Sequence, residues 1–158
     1  MQRSFFVMCL AVIYTCNVFA QTGDYQQDFD RKGNSFHFTT TTAKVQLEFC
    51  TPSVFRVRTS RNGAFAPNEP WMVVQYQWAQ VPVQAKETAE QFTLQTDALR
   101  ILIRKKPFTI DVWTKDGKLL SSESGQSGNG AYLSGDTAGC RKSLQPDEHF
   151  FGFGERMD

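Results

Sequence analysis

An all-β fold, an antiparallel β-sandwich of about eight or more strands, follows from three features of the sequence. Apolar and polar residues alternate with a period of two through most of the chain after residue 36. Turn-forming pairs break these runs at short intervals. The composition adds 14 Phe to many Val and Thr, a set that suits a pleated, half-buried surface better than a helix.

Taken in order, Phe36 and Phe38 alternate with His37 and Thr39, and Val45, Leu47 and Phe49 with Gln46 and Glu48. Phe55 and Val57 face one way, Arg56 and Arg58 the other. Val81, Val83 and Ala85 alternate with Gln80, Pro82 and Gln84, and Phe92 and Leu94 share a face. Leu99, Ile101 and Ile103, then Phe108, Ile110 and Val112, are the predicted core, the inward faces of neighbouring strands. One polar face beside one apolar face marks antiparallel strands packed on one side. Asn62-Gly63 and Asp116-Gly117 tolerate positive φ and predict tight hairpins. Thr96-Asp97 separates two strands, and Pro107, unable to donate to a ladder, ends another. Residues 87–91 have the composition for one helical turn, too short to nucleate alone.

The N-terminus has a different character. Arg3 precedes a nearly unbroken apolar run over residues 5–13, and Val18-Phe19-Ala20 supplies small residues before a cleavage point. Residues 1–20 are therefore expected to be a signal peptide, with an uncleaved anchor as the alternative, and the product to be secreted or periplasmic. Asn17 and Gln21 stop the apolar run short of the ~20 residues a membrane helix needs, so no span is expected after cleavage. Polar, Gly-containing residues 21–35 read as a flexible leader, which leaves residues 36–158 as the folded domain. Residues 121–139, with five Gly and five Ser, read as a surface loop, either simply flexible or long enough to reach a neighbouring domain's site. Tyr132-Leu133 within it suggests an anchor or a short strand.

Several functional classes are excluded on chemistry. A net charge of +1 supplies no field for nucleic acid. An apolar fraction of 41% and only 11 Gly argue against disorder and collagen. His37 and His149 lack neighbours at metal-ligand spacing, so no metal site is expected. Asp147 and Glu148 are adjacent, whereas a glycosidase pair spans about 5 to 9.5 Å from separate elements. They suit a solvated turn after Pro146. Arg100, Arg104, Lys105 and Lys106 read as the wet face of one strand. Trp71, Trp78 and Trp113 could stack on sugar rings, but core packing is the more ordinary use of such side chains. With Cys9 and Cys16 in the signal peptide, Cys50 and Cys140 remain as a possible disulfide, or as two unpaired thiols. A bridge would contribute about 4 to 5 kcal/mol in the chain-entropy model.

The string Phe150-Phe151-Gly152-Phe153-Gly154-Glu155-Arg156, preceded by Leu144-Gln145-Pro146-Asp147-Glu148-His149, resembles a signature of glycoside hydrolase family 31. In that family such a string marks the passage from an N-terminal galactose mutarotase-like β-sandwich into a catalytic (β/α)8 barrel. Val54-Phe55-Arg56-Val57-Arg58, the Phe92 to Leu99 hairpin, Lys106-Pro107-Phe108-Thr109-Ile110 and Asp116-Gly117-Lys118-Leu119-Leu120 are similar to earlier parts of the same domain, in the same order. The resemblance implies a retaining α-glycosidase for α-glucosides or α-xylosides, using two Asp residues and neither metal nor cofactor. Those two groups are expected beyond Asp158, because a barrel takes about 250 residues. The chain is then expected to be the non-catalytic piece of such an enzyme, inactive alone. Gly152, Gly154, Glu155 and Arg156 are expected at the seam with the barrel, the glycines allowing close backbone approach. The alternative is a free-standing secreted carbohydrate-binding sandwich.

Overall fold

A computed structural model describes residues 22–65, 75–123, 130–135, 137–146 and 148–149. These residues include eleven strands: β1 (Tyr25–Lys32), β2 (Ser35–Thr40), β3 (Lys44–Thr51), β4 (Val54–Ser60), β5 (Gln84–Glu87), β6 (Gln91–Gln95), β7 (Leu99–Lys105), β8 (Phe108–Thr114), β9 (Leu119–Ser122), β10 (Gly130–Ser134) and β11 (Thr137–Arg141). No helix occurs among the described residues. Two antiparallel meanders, β1-β2-β3-β4 and β5-β6-β7-β8-β9, and a separate β10-β11 hairpin make up the sheets.

One shared core joins the two large sheets. Phe36, Phe38, Val45, Leu47 and Phe49 come from the first; Phe92, Leu94, Leu99, Ile101 and Ile103 come from the second. Phe108, Ile110 and Val112 are buried with them, as the two-residue period requires. Each fully buried side chain of this kind contributes about 1.5 to 3 kcal/mol of transfer free energy. Phe92 is the meeting point, with ring centroids 5.1 Å from Tyr25, 5.1 Å from Phe29 and 5.2 Å from Phe38. Val57 lies at an edge where cover runs out, and it is 39% exposed.

Threonine hydroxyls close four of the turns. Thr40 Oγ1 accepts from Ala43 N at 3.1 Å, Thr88 Oγ1 from Gln91 N at 3.1 Å, Thr96 Oγ1 from Leu99 N at 2.9 Å and Thr114 Oγ1 from Lys118 N at 3.0 Å. Such side-chain bonds replace backbone partners that a tight turn cannot supply. Thr96 also donates to Pro52 O at 2.7 Å, tying the β6-β7 turn to the β3-β4 turn of the other sheet.

Four sequence expectations need correction. Residues 21–35 are not a flexible leader: Tyr25–Lys32 is the first strand, and Tyr25 and Phe29 pack on the core. Residues 87–91 hold a strand end and a turn, because Glu87 pairs with Phe92 across the β5-β6 ladder. Asn62-Gly63 ends β4 without making a hairpin, since the chain crosses from there to the other sheet. Within residues 121–139, β9 ends at Ser122, and β10 and β11 pair from Gly130↔Arg141 to Ser134↔Thr137. Gly139 stands opposite Tyr132, and a Cβ there would lie 2.5 Å from the ring. The glycine provides the space that the ring crosses.

Candidate functional site

Gly152, Gly154, Glu155 and Arg156, expected from the sequence at a seam, lie outside the described residues, as do Asp147 and Trp71. Glu148 is part of a local turn: its Oε2 accepts from Gln145 N at 2.9 Å, and its own N–H donates to Gln145 O at 3.1 Å. Trp113 is not a core residue. It lies half-buried on the outer face of β8, with the Arg100 guanidinium 5.6 Å over its ring. Lys105 leaves the expected wet face. Its ammonium binds Glu87 Oε1 at 2.6 Å and sits 4.7 Å over Phe92. Among the described residues, no group of three or more His, Cys, Asp or Glu could hold a metal ion. No described helix is long and apolar enough to cross a membrane.

Cys50 and Cys140 are free thiols. Cys50 alternates with the inward Phe49, so it faces out of the first sheet, whereas Cys140 belongs to the hairpin over the outer face of the second. Packed sheets are separated by about 10 Å, and a disulfide needs Cα atoms within about 7 Å.

Cys140 instead joins a buried polar cluster. Strand β8 is buried on both faces over residues 108–112, because β10 packs against it. Under that cover lie Glu123 and Asp111, 6% and 3% exposed. Glu123 Oε2 accepts from Ile110 N at 2.9 Å, and Oε1 accepts from Cys140 Sγ at 3.3 Å, with Lys142 Nζ at 3.7 Å. Asp111 Oδ1 accepts from Ser122 Oγ at 2.8 Å and from Glu123 N at 3.1 Å, while Arg104 stands 3.7 Å from Oδ2. Burial pushes the Glu123 carboxyl above the usual carboxylate range, against the pull of the Ile110 N–H and Lys142. Burial and the adjacent Glu123 push the Cys140 thiol up to about 11. Glu123 holds the hairpin to the sheet through Cys140 and Ile110, while Asp111 ties β8 to the end of β9. Sequence reasoning missed them because their partners come from segments far apart in the chain.

A depression of about 540 Å³ opens where the crossover between sheets passes the β6-β7 and β8-β9 turns. The crossover is clamped by the β1-β2 hairpin. Asn34 Oδ1 accepts from Val81 N at 2.8 Å, Asn34 Nδ2 donates to Ala79 O at 2.8 Å, and Arg31 donates to Val83 O at 3.3 Å. Val81 and Val83 turn inward to the core, leaving Pro82 exposed in the wall. Gln80, Gln84 and Gln95 border it, with Asp97 on one turn and Lys115 on another. A smaller depression of about 330 Å³ lies on the outer face of the first sheet, beside Asp30, His37 and Phe65.

The family described as glycosyl hydrolase 31 N-terminal galactose mutarotase-like domain matches residues 44–158. Alpha-glucosidase 2 of Bacillus thermoamyloliquefaciens is 27% identical over 128 residues, which is 81% of this chain and 16% of that enzyme. A family 31 dextranase of Flavobacterium johnsoniae, solved with isomaltotriose and with glucose, superposes with a TM-score of 0.74 at 29% identity, covering 87% of this chain and 17% of its own. The cycloalternan-forming enzyme of Listeria monocytogenes, solved with a pentasaccharide substrate, shares the fold at 24% identity and a TM-score of 0.52, over 66% of this chain and 10% of its own. The chain belongs to the N-terminal galactose mutarotase-like domain family of glycosyl hydrolase 31.

Proposed function

We propose that this chain serves as the N-terminal, non-catalytic sandwich of a secreted or periplasmic retaining α-glycosidase, acting on α-glucosides or α-xylosides. The observation that carries this reading is the match over residues 44–158 together with the small share, 16% and 17%, that the chain spans of an α-glucosidase and a dextranase. Those enzymes act with far more chain than this one supplies. The described carboxylates support the same assignment. Asp111 and Glu123 are buried and engaged, and Glu148 closes a turn. A retaining mechanism needs a nucleophile and an acid/base facing one sugar about 5 Å apart. In this reading a barrel supplies that pair, and residues 150–156 form the seam against it. Sequencing the genomic DNA beyond codon 158 tests the assignment. An open frame encoding βα repeats is expected. A stop codon followed by unrelated sequence would support a free-standing carbohydrate-binding sandwich instead.

A further inference from the structure

We infer that the depression at the crossover, bordered by Gln80, Gln84, Gln95, Asp97 and Lys115, is a binding pocket for a neutral saccharide. Its volume of about 540 Å³ falls within the range of about 300 to 1,000 Å³ usual for small-molecule sites. The wall is pre-formed: Asn34 holds the crossover with two hydrogen bonds at 2.8 Å, and Arg31 holds it with a third. A site that does not have to be ordered on binding loses less of its interaction energy.

The ligand class follows from the border. Each glutamine amide presents a donor and an acceptor on neighbouring atoms, which matches hydroxyl groups that both donate and accept. Asp97 adds one carboxylate and Lys115 one ammonium, so these two balance. Arg31 also lines the depression and adds a second positive charge. It gives two N–H groups to Gly33 O and Val83 O, each at 3.3 Å, and stands 4.9 Å over the Phe36 ring, so an anion is the competing ligand and phosphate is the control. Exposed Pro82 offers an apolar surface for the C–H face of a sugar ring. The outer-face depression is the weaker candidate. It is smaller, and there Asp28 already binds Thr39 at 2.8 Å and Asp30 pairs with Lys32 at 3.2 Å.

This inference rests on the proposed function only for the choice of probe, and binding is read without turnover. The full 158-residue chain is labelled with 15N and titrated with isomaltotriose, following backbone and glutamine side-chain amides. Saturable shifts at Gln80, Gln84 and Gln95 are expected. Asp97→Ala, on an exposed turn, should weaken binding about tenfold, the loss of one charge-assisted hydrogen bond. Gln84→Ala, also exposed, gives a second variant that keeps the fold, and it too should weaken binding. Asp30→Asn, in the other depression, should leave the affinity unchanged. No saturable shift at tens of millimolar sugar, shifts centred on Phe65 and His37, or tighter binding of inorganic phosphate at the same amides would each overturn the inference. Failure of the barrel test above would leave this result unaffected, since neither measurement depends on the other.

Discussion

Replacing Glu123 by alanine removes three interactions from beneath the β10-β11 hairpin, and the geometry sets the size of the effect. The Ile110 N–H loses an acceptor at 2.9 Å in a buried position, which costs about 1 to 3 kcal/mol. Loss of the Cys140 bond at 3.3 Å adds about 0.5 to 1.5 kcal/mol. The Lys142 pair adds under about 1 kcal/mol, because its ammonium is 48% exposed and the separation is 3.7 Å. Together, a loss of about 2 to 4 kcal/mol is expected at mildly acid pH. The effect should depend on pH with a definite sign. Burial raises the Glu123 pKa, so the folded state holds this proton more tightly than the unfolded chain does. Its contribution is fully present below the unfolded carboxylate value and declines as pH rises through the folded one. The stability gap between wild type and Glu123→Ala should therefore narrow as pH rises above the ordinary carboxylate range. Glu123→Gln, which still accepts from Ile110, should show a flatter pH profile than wild type. Urea unfolding of the full chain, followed by tryptophan fluorescence, measures all of this. An unchanged midpoint for the alanine variant, or a gap that widens with pH, would refute the reasoning.

Two further outcomes are expected from the same geometry. Ile101→Ala, at a fully buried position facing Leu94 and Val112 across the ladders, should cost about 2 to 5 kcal/mol in a urea titration. An unchanged midpoint would mean that the two faces of β7 are assigned backwards. Cys140, with its thiol raised to about 11, should hold only about a thousandth of its molecules as thiolate at pH 8, so iodoacetamide should label it slowly. Glu123→Gln should accelerate that labelling, and equal rates would mean that the thiol does not face this carboxylate.

The strands that were legible are those whose inner faces are unbroken. Leu99, Ile101 and Ile103 sit beside Phe108, Ile110 and Val112, and each position is buried as its alternation requires. Strand β1 was hidden because only Tyr25 and Phe29 of its side chains join the core, and a register shift between them spoils the two-residue period. Gly33-Asn34 carried the missing turn signal, with Gly33 at φ 59°. The β10-β11 hairpin was hidden by composition. Its Gly and Ser suggest a loop, yet Gly139 is there to make room for Tyr132. The polar cluster had no local motif, since Ile110, Glu123, Cys140 and Lys142 meet only after β8, β9 and the β10-β11 hairpin have packed. The crossover pocket depends on Asn34 reaching Val81 from 47 residues away, which no window of sequence reveals. The family string at residues 150–156 was the most informative local signal, because it pointed to the family that the match over residues 44–158 shows.

The central claim, that this sandwich contributes no catalytic group, is tested most directly by turnover. The full 158-residue chain, with folding confirmed by a β-type circular dichroism spectrum, is assayed on aryl α-glucoside and aryl α-xyloside, alone and with a separately produced barrel domain. The expected result is no hydrolysis by the chain alone and hydrolysis only when the barrel is present. Turnover by the chain alone, abolished by Asp147→Asn or Glu148→Gln, would contradict the account.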